Sequence, residues 1–121
     1  MYFLGDVRDV RPILAATDAT VLASTTETFS MAMLESMSMG VPMIAPRIGG
    51  LHEAICEGDS GLLYPVGDGA ALVNCMQRLV IHRSKTQDMG VAACERISQF
   101  FTVDKMIVET EQLYARLIGD N

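Results

Sequence analysis

Glu27 and Glu35 stand eight positions apart, and Thr28-Phe29-Ser30 follows directly on the first of them. Each carboxylate can accept paired hydrogen bonds from a vicinal diol, and a charged acceptor makes the stronger bond. Glu27 lies in a polar loop, Ser24 to Thr28; Glu35 falls in the second turn of a helix-like stretch, Phe29 to Met39. The start of such a helix offers unpaired N–H groups and a positive dipole end, which together suit an anion. Small side chains at Thr28 and Ser30 let an anion approach. A ligand with phosphates between two polyol ends, such as a nucleotide sugar, fits this layout. The plain alternative is that glutamates at this spacing are both solvated, and spacing alone does not separate the two. Glu35 has apolar neighbours in Met33, Leu34, Met37 and Met39, so a specific partner is expected for it, since unpaired burial is costly. The methionines themselves read as core filler.

Short apolar runs alternating with amphipathic stretches predict an α/β domain with a mainly parallel sheet. Tyr2-Phe3-Leu4-Gly5 reads as the end of a strand, and Val10, Ile13, Leu14 and Thr17 recur at helical spacing. Asp9 is a suitable N-cap there, with Pro12 in the first turn. Ala19 to Ala23 is a continuous apolar run, as in a strand covered on both faces. The polar loop 24–28 therefore follows a strand's C-terminal end, where open α/β sheets bind ligands. Gly40 closes the following helix, and Val41 to Pro46 is the next strand, with its prolines kept from the middle. Gly49-Gly50 turns into a short helix around 51–56, and Gly58-Asp59-Ser60-Gly61 turns into a last strand, Leu62-Leu63-Tyr64. Asp68 caps a helix from 69 to about 82, with Leu72, Met76 and Leu79 inward. A further helix, about 86 to 100, turns Met89, Ala93, Ile97 and Phe101 to one side. Thr102 opens a terminal helix with Met106, Leu113, Tyr114 and Leu117 as its inner face. Four short strands make a small sheet for so much helix, so the chain reads as the closing part of a larger domain.

The 121 residues are 50% hydrophobic and 20% charged, which excludes a disordered tail or a disulfide-built miniprotein. A net charge of −6 without a Lys/Arg cluster argues against a nucleic-acid partner. No apolar run is long enough for a membrane span. Cys56, Cys75 and Cys94 lack CxxC spacing and read as buried reduced thiols of a cytoplasmic protein; with only His52 and His82 to join them, no metal site is expected.

An ordered set of motifs carries more weight than the two acids alone. It runs Asp18 to Ser24, Glu27-Thr28-Phe29-Ser30, Leu34-Glu35-Ser36-Met37, Gly40-Val41-Pro42, Gly49-Gly50 and Glu53. Phe3-Leu4-Gly5 precedes it; Gly61-Leu62-Leu63-Tyr64-Pro65, Gly67-Asp68, Phe101-Thr102 and Leu113-Tyr114 follow. This set resembles the nucleotide-sugar-binding half of retaining glycosyltransferases of family four, across nearly the whole chain. Thr28 stands for a frequent Gly and Ser36 for a usual Ala.

The resemblance implies a Rossmann-like parallel sheet with flanking helices, as part of the second domain of a GT-B fold, with the N-terminal acceptor domain absent from residues 1–121. It implies sugar transfer from a nucleotide diphosphate sugar to a hydroxyl acceptor with retention, and no cofactor. Glu27 is then the catalytic-site acid, contacting hydroxyls of the transferred sugar, and Glu35 holds the ribose. The backbone of Thr28, Phe29, Ser30 and Met31 faces the sugar and diphosphate, and Gly49 and Gly50 lie on a neighbouring loop, where a tight turn is the alternative reading. Glu53 either favours its helix N-terminus or touches the donor; Arg47 and His52 read as solvated.

The Gly-rich loop and the Arg/Lys pair that neutralise the leaving diphosphate belong upstream, and no Lys occurs here before Lys85. The chain by itself is therefore expected to bind donor feebly and transfer nothing. Its acceptor, whether glycan, lipid or small molecule, is met by the absent domain. Family topology also separates the strand ending at Gly5 from Ala19–Ala23 by two strands not present here. That leaves an unpaired apolar edge, so that the first strand moves inward, copies self-associate, or the chain is poorly soluble. Residence is expected in the cytoplasm; relatives are commonly peripheral at the inner membrane face, although no basic cluster here supports that. Rival readings are a non-catalytic nucleotide-sugar-binding subunit, another GT-B enzyme such as a sugar-nucleotide epimerase or phosphorylase, and a flavodoxin-like regulatory domain.

Overall fold

The computed structural model describes residues 1–119. Three strands, β1 (Thr20–Val21), β2 (Met43–Pro46) and β3 (Gly61–Tyr64), form a parallel sheet in the order β1-β2-β3, with Thr20 opposite Met43 and Ile44 opposite Leu62. Among the described residues six helices accompany them: α1 (Arg11–Ala15), α2 (Met31–Ser38), α3 (Leu51–Ala54), α4 (Gly69–Ile81), α5 (Arg83–Phe100) and α6 (Val103–Gly119). Every residue of β2 and β3 is buried. Alternation along these strands divides the core between two faces. Met43, Ala45 and Leu63 meet Met33 and Met37 of α2, Leu51 of α3, and Ala93 and Ile97 of α5. Ile44, Leu62 and Tyr64 meet Cys75 and Leu79 of α4, with Met89 of α5. Helices therefore cover both faces, as parallel strands require.

Local chemistry sets the helix that matters most. Ser30 has extended backbone and its hydroxyl accepts the N–H of Met33 at 3.2 Å, so it is the N-cap and α2 starts at Met31, two residues later than the apolar pattern suggests. Gly40, at φ +73°, ends the helix. Its carbonyl lies so close to Gly90 of α5 that any side chain at 90 would overlap it. Asp68 caps α4 as the sequence predicts, accepting the N–H of Ala71 at 2.8 Å.

Several expectations are corrected. Tyr2–Gly5 is not a strand, and Phe3 is 87% exposed: a strand needs a hydrogen-bonded neighbour, and among the described residues β1 pairs with β2 alone. The run 19–23 is not covered on both faces. Only Thr20–Val21 is strand, and Val21 is 43% exposed at the sheet edge. On α4, Cys75 rather than Met76 joins Leu79 in the core. The terminal helix has no buried residue; Met106, Leu113, Tyr114 and Leu117 are exposed, because an apolar stripe is buried only where another element packs on it.

At the opposite end from α6, Asp9 accepts from the Arg11 N–H and guanidinium, although Val10 holds the N-cap position of α1. The thiols of Cys56, Cys75 and Cys94 are free, but only Cys75 is buried.

Candidate functional site

The loops leaving β1 and β2 meet at the C-terminal end of the sheet. The first, residues 24–30, carries Glu27 and ends at the Ser30 cap; the second, residues 47–50, carries Gly49 and Gly50 into α3. The N–H of Gly50 donates to the Thr28 carbonyl at 2.7 Å. Gly49 has φ +53°, and a Cβ there would overlap the carbonyl oxygen of Glu27 and lie 2.7 Å from that of Thr28. A Cβ on Gly50 would come within 3.0 Å of the Phe29 ring. Gly49 is thus required by close approach of the two loops, beyond any need of a turn, whereas a Cβ at Gly50 needs the Phe29 ring and the Thr28 carbonyl to give by a few tenths of an ångström.

Two further bonds tie the strand ends together. Tyr64 reaches across β2 to donate its hydroxyl to the Leu22 carbonyl at 2.9 Å, fixing the chain just before the Glu27 loop. The Arg47 N–H donates to the Tyr64 carbonyl at 2.8 Å. Burial and the proximity of Cys75 push the Tyr64 hydroxyl above its ordinary pKa, so it remains a donor at neutral pH. Behind the loop, Phe29 stacks on Phe101 with ring centroids 5.8 Å apart and planes at 28°.

The acids are placed differently. Glu27 is half-buried beside the glycine pair, whereas Glu35 is exposed in the second turn of α2. At 100° per residue, Met33 and Met37 turn into the core and Glu35 turns away from them, so its apolar neighbours do not bury it. Ser36, on the core side, shares a 2.6 Å hydrogen bond with Thr20 and donates to the Val41 carbonyl at 2.9 Å. The residue that departs from the family pattern therefore fastens α2 to β1. Thr28 and Met31 are exposed, Phe29 is half-buried and Ser30 is buried. Glu53 lies at α3 with its carboxylate 3.5 Å from the Cβ position of Gly50. Arg47 is not merely solvated: its guanidinium pairs with Glu57 at 3.2 Å, and the same Glu57 oxygen accepts the Leu63 N–H at 2.8 Å. His52 is exposed.

No motif marks Arg96 as a contributor. Tyr64 falls in one of the flanking motifs, but nothing in that motif signals its cross-sheet hydrogen bond. The Leu62-Leu63-Tyr64 run signals a strand, and only the cross-sheet bond reveals the hydroxyl's part. Two clefts lie elsewhere. One of about 320 Å³ includes Arg78, His82 and Lys85; the other, about 1040 Å³, adjoins β1 and includes Asp18, Val21 and Arg83. Neither is lined by Glu27 or Glu35. Among the described residues no group of three or more His, Cys, Asp or Glu side chains is arranged to hold a metal ion, and no helix is long and apolar enough to cross a membrane.

A parallel sheet with helices on both faces, and glycine-packed loops at its C-terminal end before a capped helix, defines a Rossmann-like unit. Residues 1–82 match the family described as glycosyl transferases group 1, and the chain belongs to that family. It is 34% identical over 119 residues to N-acetyl-alpha-D-glucosaminyl L-malate synthase of Bacillus anthracis, covering 98% of this chain and 31% of that protein. In structure it is similar to HepE of Anabaena in complex with UDP, with a TM-score of 0.82 at 28% identity, covering 98% of this chain and 32% of that one. It is also similar to sucrose-phosphate synthase from Thermosynechococcus elongatus, with a TM-score of 0.83 at 28% identity, covering 93% of this chain and 28% of that one. These values identify the fold as that of GT-B glycosyltransferases. The chain spans about a third or less of the length of these relatives.

Proposed function

We propose that this chain is the donor-binding part of a retaining glycosyltransferase and takes a uridine diphosphate sugar. The observation that carries the reading is the packing of Gly49-Gly50 against the backbone of Glu27-Thr28, which holds the half-buried Glu27 three residues before the Ser30 cap of α2. That arrangement offers an acceptor for sugar hydroxyls next to N–H groups suited to a diphosphate. Glu35, exposed on the outer side of α2, is free to accept both ribose hydroxyls, while the backbone of Thr28, Phe29, Ser30 and Met31 faces the diphosphate and sugar. Glu27 is the residue we assign to the catalytic centre. The likeness to HepE, described in complexes with UDP and UDP-glucose, supports the choice of base.

In the reaction the bond from the anomeric carbon to the diphosphate breaks, a bond to the acceptor hydroxyl oxygen forms on the same face, and the hydroxyl proton is released. The chain's own contribution is orientation. Glu27 fixes the hexose through its hydroxyls, the α2 amides stabilise charge on the departing diphosphate, and Glu35 anchors the nucleoside end. A glycan, lipid or small-molecule hydroxyl acceptor is met outside these residues. Three unpaired thiols support a cytoplasmic setting, and the outer edge of β1, with Val21 exposed, supports pairing with a further strand, from a second copy or from other parts of a longer polypeptide.

Isothermal titration with UDP, UDP-glucose and inorganic diphosphate tests the binding. Tighter binding of UDP-glucose than of diphosphate is expected; equal heats for both, or none for UDP, would remove the reading.

A further inference from the structure

Arg96 lies on α5, outside every motif used above, yet it touches the supports of both loops. Its Nε donates to the Ala54 carbonyl at 2.7 Å and its Nη2 to the Glu53 carbonyl at 2.6 Å. These are the last carbonyls of α3, a helix of four residues that begins at the Gly49-Gly50 turn. One turn of helix is marginal by itself, because its nucleation cost is met by almost no propagation. Terminal carbonyls need partners, and a cationic side chain is a favourable one at a helix C-terminus. The guanidinium carbon also lies 5.4 Å from the centroid of the Phe100 ring and 6.0 Å from that of Phe101. Phe101 in turn stacks on Phe29, which sits between Thr28 and the Ser30 cap. One side chain is thus connected to the Gly49-Gly50 loop through α3 and to the Glu27 loop through the two rings.

We propose that Arg96 is a positioning residue for the donor site, bracing both loops at once through the α3 carbonyls and the Phe101–Phe29 stack. The inference rests on the donor-binding reading for its purpose, while the bracing itself is a property of the fold. Guanidinium geometry suits this double role, because two N–H groups address adjacent carbonyls while the planar face lies against aromatic rings. A lysine ammonium, a single point charge, cannot do both.

Amide hydrogen exchange on the 121-residue chain tests the bracing without any ligand. In Arg96→Gln, exchange at Gly50, Leu51 and Met33 is expected to speed up by about tenfold or more, the scale of a lost charge-assisted hydrogen bond. Exchange at Ile44 and Leu62 should stay within about twofold of the parent. Arg96→Lys should fall between the two, and Phe101→Leu should loosen Met33 more than Leu51. Unchanged exchange at Gly50 and Leu51, or an equal rise at Ile44 and Leu62, would overturn the proposal. Should Arg96→Gln fail to fold, Arg96→Lys and Phe101→Leu carry the same comparison. UDP titration at a temperature where every variant is folded reads the purpose: a fall in affinity for Arg96→Gln supports it, and parent affinity overturns it. If the parent chain binds no UDP, the donor reading fails, and exchange alone decides whether Arg96 braces the loops.

Discussion

The Thr28 carbonyl accepts the Gly50 N–H at 2.7 Å, and through that bond the loop after β1 and the loop after β2 become one surface. The contact demands glycine at 49, where positive φ and the Glu27 carbonyl leave no room for a methyl group. Gly49→Ala should therefore cost about 2 kcal/mol or more, since backbone on both sides must shift. Urea unfolding measures the loss. A variant as stable as the parent would show that the loops separate without penalty.

A second close approach lies away from the site. Gly90 of α5 faces the Gly40 carbonyl, and Cδ of Pro42 lies 3.4 Å from its Cβ position. Gly90→Ala should drive α5 from α2 and cost about 1–3 kcal/mol, with the helices' shared core loosened. Its effect on the melting temperature should exceed that of Gly69→Ala, where a Cβ meets open space.

Alkaline pH should destabilise the chain. Burial holds the Cys75 thiol and the Tyr64 hydroxyl above their ordinary values of 9.0 and 10.0, with Glu57 adding to the shift at Cys75 and Cys75 adding to that at Tyr64. The folded state keeps both protons at pH values where the unfolded chain has released them. Stability is therefore full below about pH 8.5, the unfolded thiol value, and declines as pH rises towards the folded values. Urea titrations at pH 7 and pH 10 should show this decline, and Cys75→Ala should reduce it. A flat profile would mean that neither group is held neutral by the fold. Cys75 should also react with a thiol reagent more slowly than Cys56 and Cys94, which are half-buried.

Much of the site is legible in the sequence because short-range chemistry determines it. Gly40, Gly49-Gly50 and Asp68 act through backbone angles and caps, and a linear reading finds such features. The Ser30 cap is masked by Phe29, whose apolar side chain reads as helix but packs on Phe101 from the loop. Glu35 reads as enclosed because its neighbours in sequence are apolar, although helical rotation turns them to the opposite side. Tyr2–Gly5 and the face of α6 carry strand and core patterns, yet a pattern states only a tendency to be covered. Coverage itself depends on which other element packs there, and that is not written in the segment's own pattern. Tyr64 and Arg96 escape for a related reason: their bonds join residues 42 or more apart, to which no local period corresponds.

The pairing of the two acids is tested most directly by titrating UDP into Glu35→Ala and UDP-glucose into Glu27→Gln, alongside the parent chain. Glu35 is exposed, so its removal should leave the melting temperature unchanged while weakening UDP by about tenfold or more. Glu27→Gln should abolish the preference for UDP-glucose over UDP. Parent-like affinity for UDP in Glu35→Ala, with the sugar preference intact in Glu27→Gln, would contradict the account.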